Sequence, residues 1–392
     1  MDFNKEEKIL ITCGLGLAPY VSRELEQLGY EPGITHDAGV EITGSLFDCM
    51  VLNLHLSTAY NVLYLMGHFG CESPESLYKQ IYLMAWEDII SPDEMLSVVC
   101  RVNTPTIDNT MFASLKVKDA IVDRIMDHKK MRPDSGKDKS GVVVHLYWKQ
   151  DQAWLYINTS GKKISDRGYR TMPHKAPLRE SLARAILMAM EYTGDQPFVG
   201  PMCGSGTLAI EAALMAQKRA PGLLRTNFGF MHLLGFNDDD WQTIRRQGQK
   251  QSKKRGGKAA FAAAPIIATD NDPAALEAAE HNAKTAGVDH LIEFKLCDFS
   301  KTDIPEGAGV VVMNPEYGER IGKRTALSEL YARIGDFLKT ECKGYNGYVF
   351  TGNMDLAKQV RLKPSRRFEF FNADLDCRLL KYEIYSGTKR KD

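Results

Sequence analysis

Paired cysteines are missing from this sequence: Cys13, Cys49, Cys71, Cys100, Cys203, Cys297, Cys342 and Cys377 are scattered, with no CxxC pair. That argues against a zinc site or a disulfide framework and favours a reducing cytoplasm. Also missing is any apolar run near the ~18–20 residues of a membrane span, and Met1–Leu10 carries too many charges for a secretory leader. Neither a membrane nor a metal is therefore expected. Net charge is absent as well, since Lys plus Arg and Asp plus Glu stand at 50 each. Global charge thus announces no nucleic-acid partner. The triphosphate cradle GxxxxGKS/T and the dinucleotide fingerprint GxGxxG do not occur, which counts against a nucleotide triphosphatase and a compact dinucleotide unit. No internal repeat is evident.

The 392 residues, 44% hydrophobic and 26% charged, are those of a globular chain long enough for two or three domains. Charge is uneven along it. Trp241–Lys258 holds seven basic residues (Arg245, Arg246, Lys250, Lys253, Lys254, Arg255, Lys258) and no acid. Arg361, Lys363, Arg366 and Arg367 form a second group, and a third lies between Lys162 and Arg184. One such group is an ordinary solvated face. Three around one site point to a phosphate-backbone partner.

That site is Pro201-Met202-Cys203-Gly204-Ser205-Gly206-Thr207. Apolar Phe198 and Val199 precede it as a strand, and Leu208, Ile210, Ala212, Ala213, Leu214 and Ala216 follow at helical spacing. Two glycines let a ligand approach bare backbone, and the N–H groups of the helix start face the same place. A cofactor site is the natural reading.

Residues 8–69 read as βαββαβ: strands Lys8–Cys13, Tyr30–Thr35, Val40–Thr43 and Val62–Phe69, with helices Pro19–Leu28 and Leu46–Leu56. This suggests a small ferredoxin-like domain over 1–69, which fixes no function by itself. Over 70–160 come helices Glu75–Met84 and Thr110–Lys129, an exposed loop Met131–Ser140, and a hairpin of Val142–Trp148 with Ala153–Ile157. A basic connector and a helix fill 161–190. From 191 to 392 β and α alternate, as a parallel sheet requires. Strands are expected at Phe198–Val199, Ile266–Thr269, Ile292–Leu296, Val310–Met313 and Tyr348–Thr351, then a pair at Phe368–Phe371 and Arg378–Ile384. Helices are expected at Thr207–Lys218, Pro273–Ala286 and Leu327–Leu338. Gln247–Ala264 is low in complexity and reads as a mobile insertion.

Each remaining strand end offers chemistry. Asp270 closes the second strand, where a carboxylate can accept from both hydroxyls of a ribose, with Asn271 beside it. Asp272-Pro273 reads as a helix start, so Asp272 is assigned as its cap. After the third strand, Asp298 is placed to receive an adenine amino group and Phe299 to lie beside the ring, although an Asp there is also common in turns. The fourth strand closes in Asn314-Pro315-Glu316-Tyr317-Gly318. Alone this is an ordinary Asn-Pro turn with a packed Tyr. Behind a glycine turn and two strand-end acids it resembles the Asn-Pro-Pro-Tyr-Gly motif of methyltransferases acting on exocyclic or planar nitrogens, and that resemblance implies a site that grips a planar amine. The lone pair of such an amine is delocalised, so the acceptors Asn314 Oδ1 and the Pro315 carbonyl must orient it while Tyr317 stacks on an extracted base.

The hairpin with its TSG…RGYR connector (Thr159–Arg170), the segment Lys175–Met190 that includes Leu178, and the Asn-Pro-x-Tyr-Gly motif together resemble the bacterial THUMP-containing RNA methyltransferases. The likeness extends over nearly the whole chain and includes the large-subunit (23S) rRNA guanine-N2 enzymes, earlier labelled adenine-specific DNA methylases. It implies an α/β, class I (Rossmann-like) methyltransferase sheet of seven strands, preceded by α+β ferredoxin-like and THUMP domains. It further implies S-adenosyl-L-methionine as cofactor, held by Pro201, Cys203, Gly204, Ser205, Gly206, Thr207, Asp270, Asn271, Asp298, Phe299 and Leu178. Asn314, Pro315 and Tyr317 would be catalytic, and large-subunit rRNA the partner. Some relatives carry a second methyltransferase domain, for which this sequence is expected to be too short. Two positions depart from the pattern: Gly200 stands where Asp is usual, removing a carboxylate near the methionine end, and Glu316 where Pro is usual. Adenine-N6 methylation, or an RNA-binding assembly factor with lost activity, remain as alternatives. The sequence leaves target nucleotide and oligomeric state open.

Overall fold

The computed structural model describes residues 1–107, 109–174, 177–252, 264–317 and 324–385. They fall into two compact units. The first comprises Met1–Cys13, Val21–Asp166 and Pro221–Gln249; the second comprises Gly14–Tyr20, Arg167–Ala220 and Lys250–Asp392.

In the first unit, β1 (Glu7–Cys13), α1 (Ala18–Gln27), β2 (Thr35–His36), β3 (Gly39–Gly44), α2 (Leu46–His55) and β4 (Ala59–Gly70) follow the expected βαββαβ order. The strand expected at Tyr30–Thr35 shrinks to Thr35–His36. Pro32 has no N–H to give to a ladder and Gly33 weakens one, so ahead of Thr35 the stretch meets β3 through the isolated bonds Gly33 N–H to Glu41 O and Glu41 N–H to Ile34 O. Next come α3 (Pro74–Tyr82), β5 (Leu96–Asn103), α4 (Thr110–Lys129), β6 (Val142–Lys149) and β7 (Gln152–Asn158). β5 is absent from the sequence reading. It runs parallel to β6 across α4, a βαβ crossover whose first strand has no hairpin partner to announce it. All seven strands form one sheet in the order β2-β3-β1-β4-β7-β6-β5. The join is β4 with β7, antiparallel from Leu63↔Asn158 to Gly70↔Gln152. Ferredoxin-like and THUMP portions therefore share a continuous backbone ladder.

Residues 221–249 complete this unit, although in sequence they interrupt the second. Phe228, Phe230 and Trp241 are buried and pack ring against ring at centroid distances of 5.0–5.3 Å. The Phe230 N–H donates to Thr159 O at 3.0 Å. α7 (Asp238–Gln251) carries Trp241 and Ile244 inward, with Arg245 over the Trp241 ring at 5.9 Å. A helix thus occupies Gln247–Gln251, where the sequence suggested a mobile insertion; Lys253, Lys254, Arg255 and Lys258 lie outside the described residues.

The second unit holds α5 (Glu180–Ala189), β8 (Phe198–Pro201), α6 (Thr207–Ala216), β9 (Ile266–Asp270), α8 (Pro273–Ala286), β10 (Ile292–Leu296), β11 (Val310–Met313), α9 (Arg324–Thr340), β12 (Asn346–Thr351), α10 (Met354–Lys358), β13 (Arg366–Asn372) and β14 (Leu375–Glu383). Its sheet order is β10-β9-β8-β11-β12-β14-β13. The first five strands are parallel and β14 is antiparallel to both β12 and β13. This is the seven-stranded class I methyltransferase sheet that the sequence reading expects. α8 has a clear local cause: Asp272 caps it by accepting from the Ala274 N–H, Pro273 opens it, and Gly287 at φ 68° closes it. β8 and β11 are buried along their full length. In a doubly wound sheet, ligands gather beyond the carboxyl ends of such central strands. Among the described residues no helix is long and apolar enough to cross a membrane.

Candidate active site

Register brings the four strand ends side by side. Pro201 of β8 is level with Thr269 of β9, Asp270 is level with Leu296 of β10, and β11 pairs with β8 through Val310↔Phe198 and Val311↔Val199. The glycine turn, Asp270-Asn271, Cys297-Asp298 and Asn314-Pro315 therefore all leave the same edge of the sheet.

The glycine turn is wound tightly. Met202, Gly204 and Gly206 have φ of 60°, 56° and 81°, a region that disfavours side chains. Met202 is the non-glycine exception, held because Cys203 N–H donates to Thr269 O and Gly206 N–H to Cys203 O. The two glycines differ in purpose. A Cβ on Gly206 would stand 2.9 Å from the Ala279 Cβ, so this glycine lets α8 close in; a Cβ on Gly204 would meet nothing within 4 Å. The space at Gly204 is open.

Asp270 helps to shape that space. Its Oδ2 accepts from Gly204 N–H at 2.9 Å and its Oδ1 from Asp272 N–H at 3.0 Å, which leaves a lone pair on each oxygen. Asp298 is more engaged. Its Oδ1 receives Ser300 N–H, Ser300 Oγ and Arg333 at 3.0, 2.6 and 2.6 Å. Burial works to raise this carboxyl, but the Ser300 and Arg333 hydrogen bonds prevail and hold it at about 2. Phe299 lies in the core, edge-on to Phe337 at 5.8 Å, with the Arg333 guanidinium 4.8 Å above its ring. Leu178 is buried, and its carbonyl accepts from Arg170 at 2.6 Å. Burial raises the thiol of Cys203, beside the turn, far above its ordinary value.

The acceptor at the end of β11 stands apart. Asn314 Oδ1 is buried without a hydrogen-bond partner among the described residues. A buried orphan oxygen costs on the order of 1–3 kcal/mol, an expense explained where a substrate donor completes it. Pro315 is buried beside it, and Glu316 is exposed. Tyr317 is fixed from behind: its hydroxyl accepts from Asn372 Nδ2 at 3.0 Å, and its ring is edge-on to Phe350 at 6.4 Å. Burial pushes the phenol up to about 12, so it stays protonated at neutral pH. Gly318 and the rest of the motif lie outside the described residues. Among the described residues no group of three or more His, Cys, Asp or Glu is placed to hold a metal.

Sequence reasoning missed Arg333 and Asn372. Each is a polar residue inside a helix or strand and reads as surface until its partner is seen. Gly200, the departure from the resemblance, is buried in β8, and a Cβ there would lie 3.1 Å from the Phe198 ring.

Three family profiles match: an RlmL ferredoxin-like domain at residues 8–63, a THUMP domain at 71–158, and an RMKL-like methyltransferase domain at 167–381. The chain belongs to the RMKL-like methyltransferase family. Among curated members, a Synechocystis sp. protein, slr0064, named provisionally as an RNA methyltransferase, is 33% identical over 95% of this chain and 96% of its own. The ribosomal RNA large subunit methyltransferases K/L of Syntrophotalea carbinolica and Cellvibrio japonicus are 34% and 36% identical over 96% and 95% of this chain. The chain spans only 53% and 50% of those two proteins. Among solved structures, a predicted N6-adenine-specific DNA methylase from Listeria monocytogenes is 27% identical with a TM-score of 0.83 over 97% of both chains. SMU.472, provisionally a methyltransferase and solved with SAH, shares the fold at a TM-score of 0.86 and 24% identity over 100% of both chains.

Proposed function

We propose that this family member uses S-adenosyl-L-methionine to methylate the exocyclic N2 of a guanine in large-subunit rRNA. The observation that carries the reading is Asn314 Oδ1 at the end of β11, buried and without a hydrogen-bond partner among the described residues. The residues present fit the cofactor. Gly204 offers open space, Asp270 retains lone pairs for hydroxyl donors, and Asp298 keeps an oxygen, Oδ2, clear of its bonds to Ser300 and Arg333. When bound, the cofactor supplies an electrophilic methyl group.

The protein's own part is positioning. Asn314 Oδ1 and the Pro315 carbonyl would each accept one N–H of the amine, which turns the lone pair out of the base plane. The ring of Tyr317, steadied by Asn372 and Phe350, would bear on the base. The amine nitrogen gains the methyl as the methyl–sulfur bond breaks, and the cationic nitrogen so formed sheds a proton to solvent, because such a cation attached to an aromatic ring is strongly acidic and needs no dedicated base. Such alignment is worth several powers of ten in rate without acid–base help. The THUMP-containing unit would bring RNA to the site, consistent with relatives named for ribosomal RNA.

Incubation with labelled S-adenosyl-L-methionine and undermethylated 23S rRNA should give N2-methylguanosine on digestion. Label in DNA adenine and none in RNA would sink the proposal. Adenine-N6 transfer is the second reading, favoured by the same acceptor pair, which suits any planar NH2, and by the name of the Listeria neighbour. Gly200 motivates an assembly-factor reading. Calorimetry decides it, since no cofactor binding at millimolar ligand would favour lost activity.

A further inference from the structure

Asn282 sits in the last third of α8, completely buried, and the cofactor reading gives it no role. A lone buried amide is costly unless its bonds are met, and here they are met by two segments at once. Its Oδ1 accepts from the Met172 N–H at 3.0 Å, and its Nδ2 donates to the Met172 carbonyl at 2.9 Å and to the Ser205 carbonyl at 3.2 Å. One side chain thus pairs with both backbone groups of a connector residue and with the middle of the glycine turn. Ala279, one turn earlier on the same face, is the residue against which Gly206 closes.

The connector is fastened to the same turn elsewhere. Arg170 reaches Thr207 Oγ1 at 3.2 Å, the Leu178 carbonyl at 2.6 Å and Glu180 at 3.2 Å. Arg167 and Tyr169 bond Glu211 of α6 at 2.7 and 3.2 Å, with the Arg167–Glu211 pair fully buried. Arg167–Met172 therefore lies along α6 and the turn that begins it.

We propose that Asn282 is a positioning residue for cofactor binding, holding the Ser205 carbonyl back toward α8 and locking the glycine turn to the connector. The proposal rests on the cofactor reading of that turn. Its geometry demands an amide: Ala removes all three bonds, and an ionised Asp would face two carbonyl oxygens. A protonated Asp restores the acceptor and one donor, and burial among carbonyls raises the pKa of such a carboxyl. Reciprocity follows from linkage, so cofactor binding should tighten the connector as much as the connector tightens the turn.

The test uses the full chain. Calorimetry with S-adenosyl-L-methionine should show Asn282→Ala binding at least about tenfold more weakly, on the scale of one to two lost hydrogen bonds, while affinity for an rRNA fragment stays within twofold. Asn282→Asp should bind weakly at pH 8 and regain affinity as pH falls toward 5.5, with no such trend in Asn282→Ala. Hydrogen exchange at the Met172 amide should slow on cofactor addition in the wild type only. Unchanged cofactor affinity in Asn282→Ala overturns the proposal, as does parallel loss of RNA and cofactor binding, which would mark general unfolding. A wild-type chain that binds no cofactor overturns the reading of the turn itself.

Discussion

Asn314 and the two turn glycines put the sharpest demands on single atoms. If Asn314 Oδ1 is the acceptor for the substrate amine, Asn314→Ala should lower kcat by about 10²–10³, the scale of removing one preorganised polar contact, while calorimetric cofactor affinity stays nearly intact. Equal loss of both would assign it a structural part. Gly204→Ala and Gly206→Ala separate in the opposite sense. Both force a side chain into left-handed backbone, at about 1–2 kcal/mol, but only at Gly206 does the new Cβ meet Ala279 at 2.9 Å. Thermal melts should show Gly206→Ala as clearly the less stable protein, and titration should show Gly204→Ala losing cofactor affinity. Asp270 and Asn314 are marked in the sequence because each closes a short apolar run that reads as a strand. Asn282 and Asn372 are not, because their meaning lies in partners 110 and 55 positions away.

Elements repeat that lesson. The parallel sheet of the second unit announces itself through short apolar runs ended by Gly, Asp or Asn, and the strands appear where those runs are. β5 escaped because its partner β6 lies across a helix, and four or five apolar residues without a turn signal do not separate strand from helix. Tyr30–Thr35 erred the other way, its β-favourable residues outweighed by Pro32-Gly33. The strand pair β6–β7 also carries a pH prediction. His145 of β6 is buried, beside Asn158 Nδ2 at 3.4 Å. Burial first, then Lys139 and Arg101, lower it from 6.5 to about 3. The folded chain then binds fewer protons than the unfolded one between these values, so stability is full above pH 6.5 and falls as pH drops toward 3, by up to about 1.4 kcal/mol per pH unit. Urea melts across that window should show the slope, and His145→Gln should flatten it.

At the scale of the molecule, the two units do not follow the order of the chain. Segment 221–249 sits inside the span that matches the methyltransferase profile yet belongs to the first unit. The sequence marks only the start of a basic run from Trp241 onward, and nothing in the segment names a distant sheet as its partner. Phe230→Ala should destabilise the first unit by about 3–5 kcal/mol, read as an early transition in a denaturant melt and as weaker rRNA binding, with cofactor affinity kept. Loss of cofactor binding without loss of RNA affinity would contradict this division.

The late position of Phe228, Phe230 and Trp241 sets a timetable for synthesis. Chains emerge N-terminus first, and domains usually close as they appear. Here the first unit is still incomplete when its sheet is finished, because its aromatic wedge is translated only after β8 and α6. Until Trp241 emerges, the surface that Phe228, Phe230 and Trp241 cover in the folded unit has no occupant.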